Sequence, residues 1–392
     1  MMIEMIETKA PGKILWLGGY SVLERPNIGY VTAIDAYVHA NVELIKGSDA
    51  VQIRVPDFGM EVHGALDKET GKLAAERPKA LNLLMTSTEV ALAYVASKGL
   101  RVEGLRIETR NDDALKYRIG NANGNVISKS GMGSSSAAVV SLTSAILASY
   151  SLDLWEDDAL HKLAQLSHSL AAGKIGSGFD VAAATYGSII YSRYSPSVIS
   201  GFTQDFTPAD VASIVKDTWD YSIKKVELPG FFKTSMANFV NDAAITTSLV
   251  GKINEFKKKA PDSYNEIIRK IDESAEKAAA SLLRVRSPDD VADINAFAEG
   301  FENSRMTTKR LGELSGAEIE PEDATTLIEE SKKNGALVAR LPGAGGKDSI
   351  VAISLDDKSA AHLRRFWSQN DKLELLNVSM QNDGVRMVQR NG

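Results

Sequence analysis

The stretch Lys129-Ser130-Gly131-Met132-Gly133-Ser134-Ser135-Ser136-Ala137-Ala138 decides how this chain is read. An extended polar run ending in Asn125-Val126-Ile127-Ser128 enters it, and an apolar helix pattern from about Ala137 to Tyr150 leaves it. Glycines let a backbone approach a ligand and take positive φ. Serines at this point can cap the helix that follows. A helix N-terminus with unpaired N–H groups and the positive end of its dipole is an anion site, so phosphate is the first ligand to consider. Taken alone, the stretch is equally readable as ordinary capping. It is neither the Gly-Lys-Ser/Thr phosphate loop nor the dinucleotide fingerprint.

Working outward, the 392-residue length favours two domains over a single core. Composition is that of a globular protein, 44% hydrophobic and 24% charged. A net charge of −6 argues against a broad nucleic-acid surface, so attraction for an anionic substrate has to come from a few placed lysines and helix ends. With no cysteine there are no disulfides, thiolate metal sites or thiol nucleophiles, as suits a reducing cytoplasm. Met1 to Glu7 is too short and acidic for a signal peptide, and no eighteen-residue apolar run predicts a membrane span. Of the five histidines only His161 and His168 lie close, a spacing read as packing or surface rather than a metal pair.

Along the chain, Ile6 to Tyr20 reads as a strand, a Pro11-Gly12 turn and a short strand ending in Gly18-Gly19. Gly29–Ile34, Tyr37–Ile45 and Val51–Val55 read as strands, Pro78–Lys98 as a helix and Leu105–Thr109 as a strand. Trp155–Ala172 is a helix with Glu156, Asp157 and Asp158 in its first turn. Gly173 ends it, and a second glycine-rich loop, Lys174-Ile175-Gly176-Ser177-Gly178-Phe179-Asp180, leads to a small-residue helix. The Ser- and Pro-rich run from Arg193 to Pro208 marks the expected domain break, giving an N-terminal domain over 1–205 and a C-terminal one over 206–392. Beyond it a strand near Tyr221–Glu227, helices over Ala243–Lys259, Asp262–Leu283, Pro288–Leu314 and Glu322–Asn334, and a hairpin turning through Pro342 to Asp348 are expected, then a helix near Ser359–Asn370 and a strand near Glu374–Val378. This mixed order predicts an α+β fold.

Pro11-Gly12-Lys13, Gly131-Met132-Gly133-Ser134-Ser135-Ser136-Ala137 and Gly343-Ala344-Gly345-Gly346 resemble, in order and approximate spacing, the three motifs of the GHMP small-molecule kinases. Gly18-Gly19-Tyr20-Ser21-Val22-Leu23-Glu24 and Lys174 to Ala184 are similar to segments of the phosphomevalonate kinases within that superfamily, and Thr246 to Val250 resembles a further one near the substrate. Three positions depart from the pattern: Ser136 stands where Ala is usual, Met132 where Leu is usual, and Lys347 where Gly often precedes the Asp. Lys347 is expected in solvent, and Asp348 in an ordinary turn.

The resemblance implies a two-domain fold, with an N-terminal part like ribosomal protein S5 domain 2 and a ferredoxin-like C-terminal part. It implies ATP and Mg²⁺ as cofactors, an anionic acceptor (phosphomevalonate), no nucleic-acid or membrane partner, and a monomer or homodimer. By the same resemblance Ser130, Gly131, Met132, Gly133, Ser134, Ser135 and Ser136 hold the nucleotide phosphates, and Ser135 is the metal ligand. Lys13, Gly19, Tyr20, Lys174, Ser177, Gly178, Gly345 and Gly346 hold the acceptor, with Arg193 of lower weight. Lys13 and Asp180 are the catalytic pair. Since a carboxylate among phosphates repels them unless a cation neutralises it, the two are expected to form an ion pair.

Overall fold

The computed structural model describes residues 5–121, 124–129, 131–240 and 246–391. Its first half runs β1 (Met5–Leu17), β2 (Gly29–Ile45), β3 (Ala50–Val55), β4 (Met60–Leu66), β5 (Leu73–Ala75), α1 (Asn82–Ser97), β6 (Gly104–Asn111), the hairpin β7 (Lys116–Asn121) and β8 (Gly124–Lys129), α2 (Ser134–Tyr150), α3 (Asp157–Ala172), α4 (Phe179–Tyr186) and β9 (Ile189–Ser192). The larger sheet is ordered β9-β2-β6-β3-β4-β5, with β1 also bonded to β2. All these pairs are antiparallel except β3 with β6. Apolar α2 packs on β1 and β2, and α1, α3 and α4 pack around it.

The Pro11-Gly12 turn is not a turn: β1 is one strand with a bulge there. Pro11 pairs with Tyr37 and Lys13 with Ala33, so the register shifts around Gly12. A bulge tolerates a residue without an N–H and bends the strand, which aims Lys13 at the loop before α2. The two strands expected over Gly29–Ile45 are likewise one, β2.

The chain then forms α5 (Pro208–Lys216), capped by Thr207 and Asp210, and β10 (Ser222–Lys225), which pairs with β9. The N-terminal lobe therefore extends past the expected break at 205/206, because α5 packs on α1 and α3 and β10 completes an edge of the sheet. The second lobe is built from β11 (Lys233–Phe239), α6 (Thr246–Lys259), α7 (Pro261–Leu282), α8 (Val291–Ser315), α9 (Glu322–Lys333), β12 (Val338–Arg340), β13 (Ser349–Ser354), α10 (Asp357–Ser368) and β14 (Leu373–Leu376). Its antiparallel sheet is ordered β12-β13-β11-β14, the order of a ferredoxin-like split βαβ fold. Finally β15 (Met380–Gln381) and β16 (Arg386–Asn391) return to the larger sheet, on β2 and β1. No described helix is long and apolar enough to cross a membrane.

The lobes share one apolar core, in which Trp16 of β1 meets Phe301 of α8 at 6.2 Å between ring centroids. Polar contacts join them as well. The Tyr264 hydroxyl donates to Glu24 at 2.9 Å, Lys257 pairs with the same carboxylate, and the Ile28 N–H donates to Asp272 at 2.8 Å. Burial, with Glu276 and Glu273 nearby, pushes Asp272 up from 3.8 to about 6. A carboxyl whose folded pKa is raised stabilises the fold most at low pH and loses that contribution as pH climbs through the folded value. Asp272→Asn, which keeps the acceptor oxygen, is thus expected to melt above the native chain at pH values beyond about 6, with the gap closing on acidification. Thermal melts across pH check this.

Candidate active site

The loop before α2 takes its shape from Gly133, whose φ of 81° is left-handed and whose missing Cβ would stand 3.0 Å from the Lys13 stem. Gly133 is the N-cap, and no side chain caps the helix. The serines expected to cap fall one position too late, inside the first turn, so the N-cap position itself offers the leading N–H groups of α2 no side-chain acceptor. Met132 is buried core, but its carbonyl accepts the Lys13 N–H at 2.9 Å. Gly131 is exposed beside Asp348. Ser134 and Ser135 line a small apolar recess with Val55, Phe58, Leu81 and Leu84 that no motif in the sequence signals. Ser130 lies outside the described residues.

Lys13 and Asp180 come to the same place without an ion pair between them. The Lys13 ammonium donates to the Gly131 carbonyl at 3.0 Å and stands 5.5 Å from the centroid of the Phe179 ring. Burial lowers its pKa, and the charges of Asp180 and Asp348 act against that. The expected contact is thus a coupling at longer range, because the bulge directs the ammonium along the glycine loop. Asp180 sits in the first turn of α4, which also starts from a left-handed glycine, Gly178, without a side-chain cap. The Ser136 hydroxyl donates to Asp180 Oδ2 at 2.6 Å and the Val181 N–H to Oδ1 at 3.0 Å. Burial works to raise the Asp180 pKa, but the charge of His168, the Ser136 hydrogen bond, Lys13 and the Val181 N–H outweigh it and hold the carboxyl below its usual range. Asp348, read from sequence as a turn residue, faces this centre.

A cleft of about 260 Å³ opens beside Lys13. Tyr20, Leu23, Ser177, Phe179, Val250 and Gly345 line it, so both lobes contribute. The Tyr20 hydroxyl donates to the Ala344 carbonyl at 2.8 Å, and buried Arg340 donates to the Trp16 carbonyl at 2.5 Å. These bonds fasten the third glycine loop to β1. Gly345 is obligatory here, since its φ is +77° and a Cβ would lie 2.4 Å from the Ile319 carbonyl oxygen.

Several expected acceptor contacts are not walls of this cleft. Gly19 backs against Gly343, Gly346 bonds to the Ile319 carbonyl at 2.7 Å, and Gly178 is packed against Gln165 and Tyr191. Lys174 is exposed on a different depression of about 220 Å³, because its N–H closes the end of α3 onto Ser169. Arg193 is buried and donates to the Leu23 carbonyl at 2.9 Å, behind the wall. Lys347 is not in solvent but paired with Asp323 at 2.5 Å.

Comparison with known proteins fits this geometry. The family model described as GHMP kinases N terminal domain matches residues 87–188, and the one described as GHMP kinases C terminal matches 265–373. The chain belongs to the GHMP kinases. Among its relatives are proteins named phosphomevalonate kinase: one from Saccharolobus solfataricus is 29% identical, covering 98% of this chain and 99% of that one. A peroxisomal one from Arabidopsis thaliana is 27% identical, covering 95% and 94%. The fold matches that of Streptococcus pneumoniae phosphomevalonate kinase in complex with phosphomevalonate and AMPPNP, with a TM-score of 0.73 at 20% identity over 96% of this chain and all of that one.

Proposed function

We propose that this chain transfers the terminal phosphoryl group of ATP to the phosphate of 5-phosphomevalonate, giving 5-diphosphomevalonate and ADP. The observation that carries the reading is a cleft between the lobes lined by Lys13, Gly131, Phe179 and Asp348, with the charge of Asp180 acting on Lys13 and with Gly131 and Phe179 lying just before and just inside two helices whose N-cap residues are glycines. Phosphoryl transfer asks a protein mainly for positioning and charge stabilisation. The N–H groups from Gly131 to Ser136 receive the nucleotide phosphates, and the apolar recess beside Ser134 and Ser135 suits the base. The cleft floor of Leu15, Val22, Leu23 and Phe179 suits a short carbon skeleton, and the start of α4 suits its anionic end.

An acceptor phosphate oxygen attacks the γ-phosphorus, and the bond to the β,γ-bridging oxygen breaks. Lys13 balances the charge passing between them. A phosphomonoester has its second pKa near ~6 and arrives largely as the dianion at neutral pH, so little proton removal is needed. Asp180 is poorly basic, with donors on both oxygens, and acts by orienting Lys13 and the acceptor.

No three His, Cys, Asp or Glu side chains converge among the described residues. That sparse donor set fits Mg²⁺, which takes few protein oxygens and keeps water and phosphate oxygens. Ser135 would hold the ion, which would supply neutralisation of phosphate charge.

Release of ADP measured over phosphomevalonate, mevalonate, homoserine and galactose tests the proposal. Turnover should be confined to phosphomevalonate. Turnover of mevalonate instead would move the chain to another branch of the family, and saturable ATP binding without turnover would make it a sensor.

A further inference from the structure

Ser136 belongs by sequence to the nucleotide loop, yet its side chain is committed elsewhere. It is fully buried in the first turn of α2, and its oxygen stands 2.6 Å from Asp180 Oδ2. A hydroxyl has one proton to give. The proton given to the carboxylate is not available to a nucleotide phosphate. The bond spans two helices: α2, whose open end faces the nucleotide side, and α4, whose first turn carries Asp180. From within α4 the Val181 N–H holds the other oxygen. The carboxylate is thereby fixed at both ends, and an alanine, the residue usual in the resemblance, would leave Oδ2 without this donor. The other groups facing Asp180 are Lys13 from β1, His168 from α3, and Tyr191 and Tyr194 from β9 and the residues after it. The Tyr191 hydroxyl is engaged with the Ser177 carbonyl at 3.2 Å and Tyr194 with Gln165 at 3.4 Å, so neither replaces Ser136.

We infer that Ser136 is a positioning residue for Asp180, fastening the carboxylate to the nucleotide-binding helix so that the two substrate loops keep one relative geometry. This rests on the phosphotransfer reading above. Hydrogen bonds to an ionised acceptor are short and stronger than neutral ones, so losing this one both frees the carboxylate to rotate and makes it more basic.

The test compares Ser136→Ala and Ser136→Cys, the latter a weak donor, with the native enzyme. Three quantities are read: kcat, KM for ATP, and the titration of the Asp180 carboxyl carbon in ¹³C-aspartate-labelled protein, assigned by its disappearance in Asp180→Asn. Ser136→Ala should lower kcat roughly tenfold, the worth of one such bond. KM for ATP should stay within about twofold, since the hydroxyl does not serve the nucleotide. The carboxyl midpoint should move to higher pH, with Ser136→Cys between. A raised KM for ATP with an unmoved midpoint would put the hydroxyl on the nucleotide and overturn the inference. An unmoved midpoint with unchanged kinetics would reduce Ser136 to filler. The native enzyme's acceptor panel decides the function separately, and the carboxyl titration decides the role of Ser136 whichever acceptor is used.

Discussion

Lys13→Met should lower kcat about 10³-fold, the scale of removing a preorganised charge from a transition state, while leaving the chain folded. Methionine retains the length of the stem that packs against Gly133, and the Lys13 N–H to Met132 bond is backbone. What disappears is the positive charge between Asp180 and Asp348. Those carboxylates would then face the substrates' phosphates uncompensated, so KM for the acceptor should rise along with the fall in kcat. Steady-state kinetics beside a thermal melt measures this. A loss of less than tenfold in a folded variant would remove Lys13 from the chemistry.

Asp180→Asn is expected to cost about 10²-fold in kcat, and the shape of its pH profile matters more than the size. If the carboxylate orients Lys13 and the acceptor, the loss should be nearly constant from acid to neutral pH. At the alkaline end a further effect enters. Asp180 supports the protonated form of Lys13 against burial, so removing its charge lets the ammonium titrate lower and brings the alkaline limb down in pH. Activity that recovers in step with rising pH would instead assign Asp180 to proton abstraction. Profiles of kcat for the variant and the native enzyme separate the outcomes.

The glycine loops were legible because each combines a rare local composition with a strand or helix end, and helices such as α3 and α9 carried their own punctuation. β11 was missed although it is central to the second sheet. Ser235 and Asn238 are buried within it, so it presents neither alternation nor an apolar run. β1 was broken in two because Pro11-Gly12 reads locally as a turn, whereas the neighbouring strand turns it into a bulge. The partner of Ser136 depends on packing between two helices and that of Lys347 on the glycine loop lying against α9, and neither leaves a trace in spacing. Asp348 was passed over for a related reason: a hairpin turn is ordinary until another lobe is folded against it.

The return of β15 and β16 to the larger sheet means the backbone crosses between lobes twice, between Lys225 and Lys233 and again between Leu376 and Met380. A body attached at two separated points turns easily only about the line through them. Any opening over the cleft would therefore be confined to rocking about that line, and the shared core with the Glu24 and Asp272 contacts would have to yield first. Cutting the chain at either crossing should release that restraint without removing a single cleft residue.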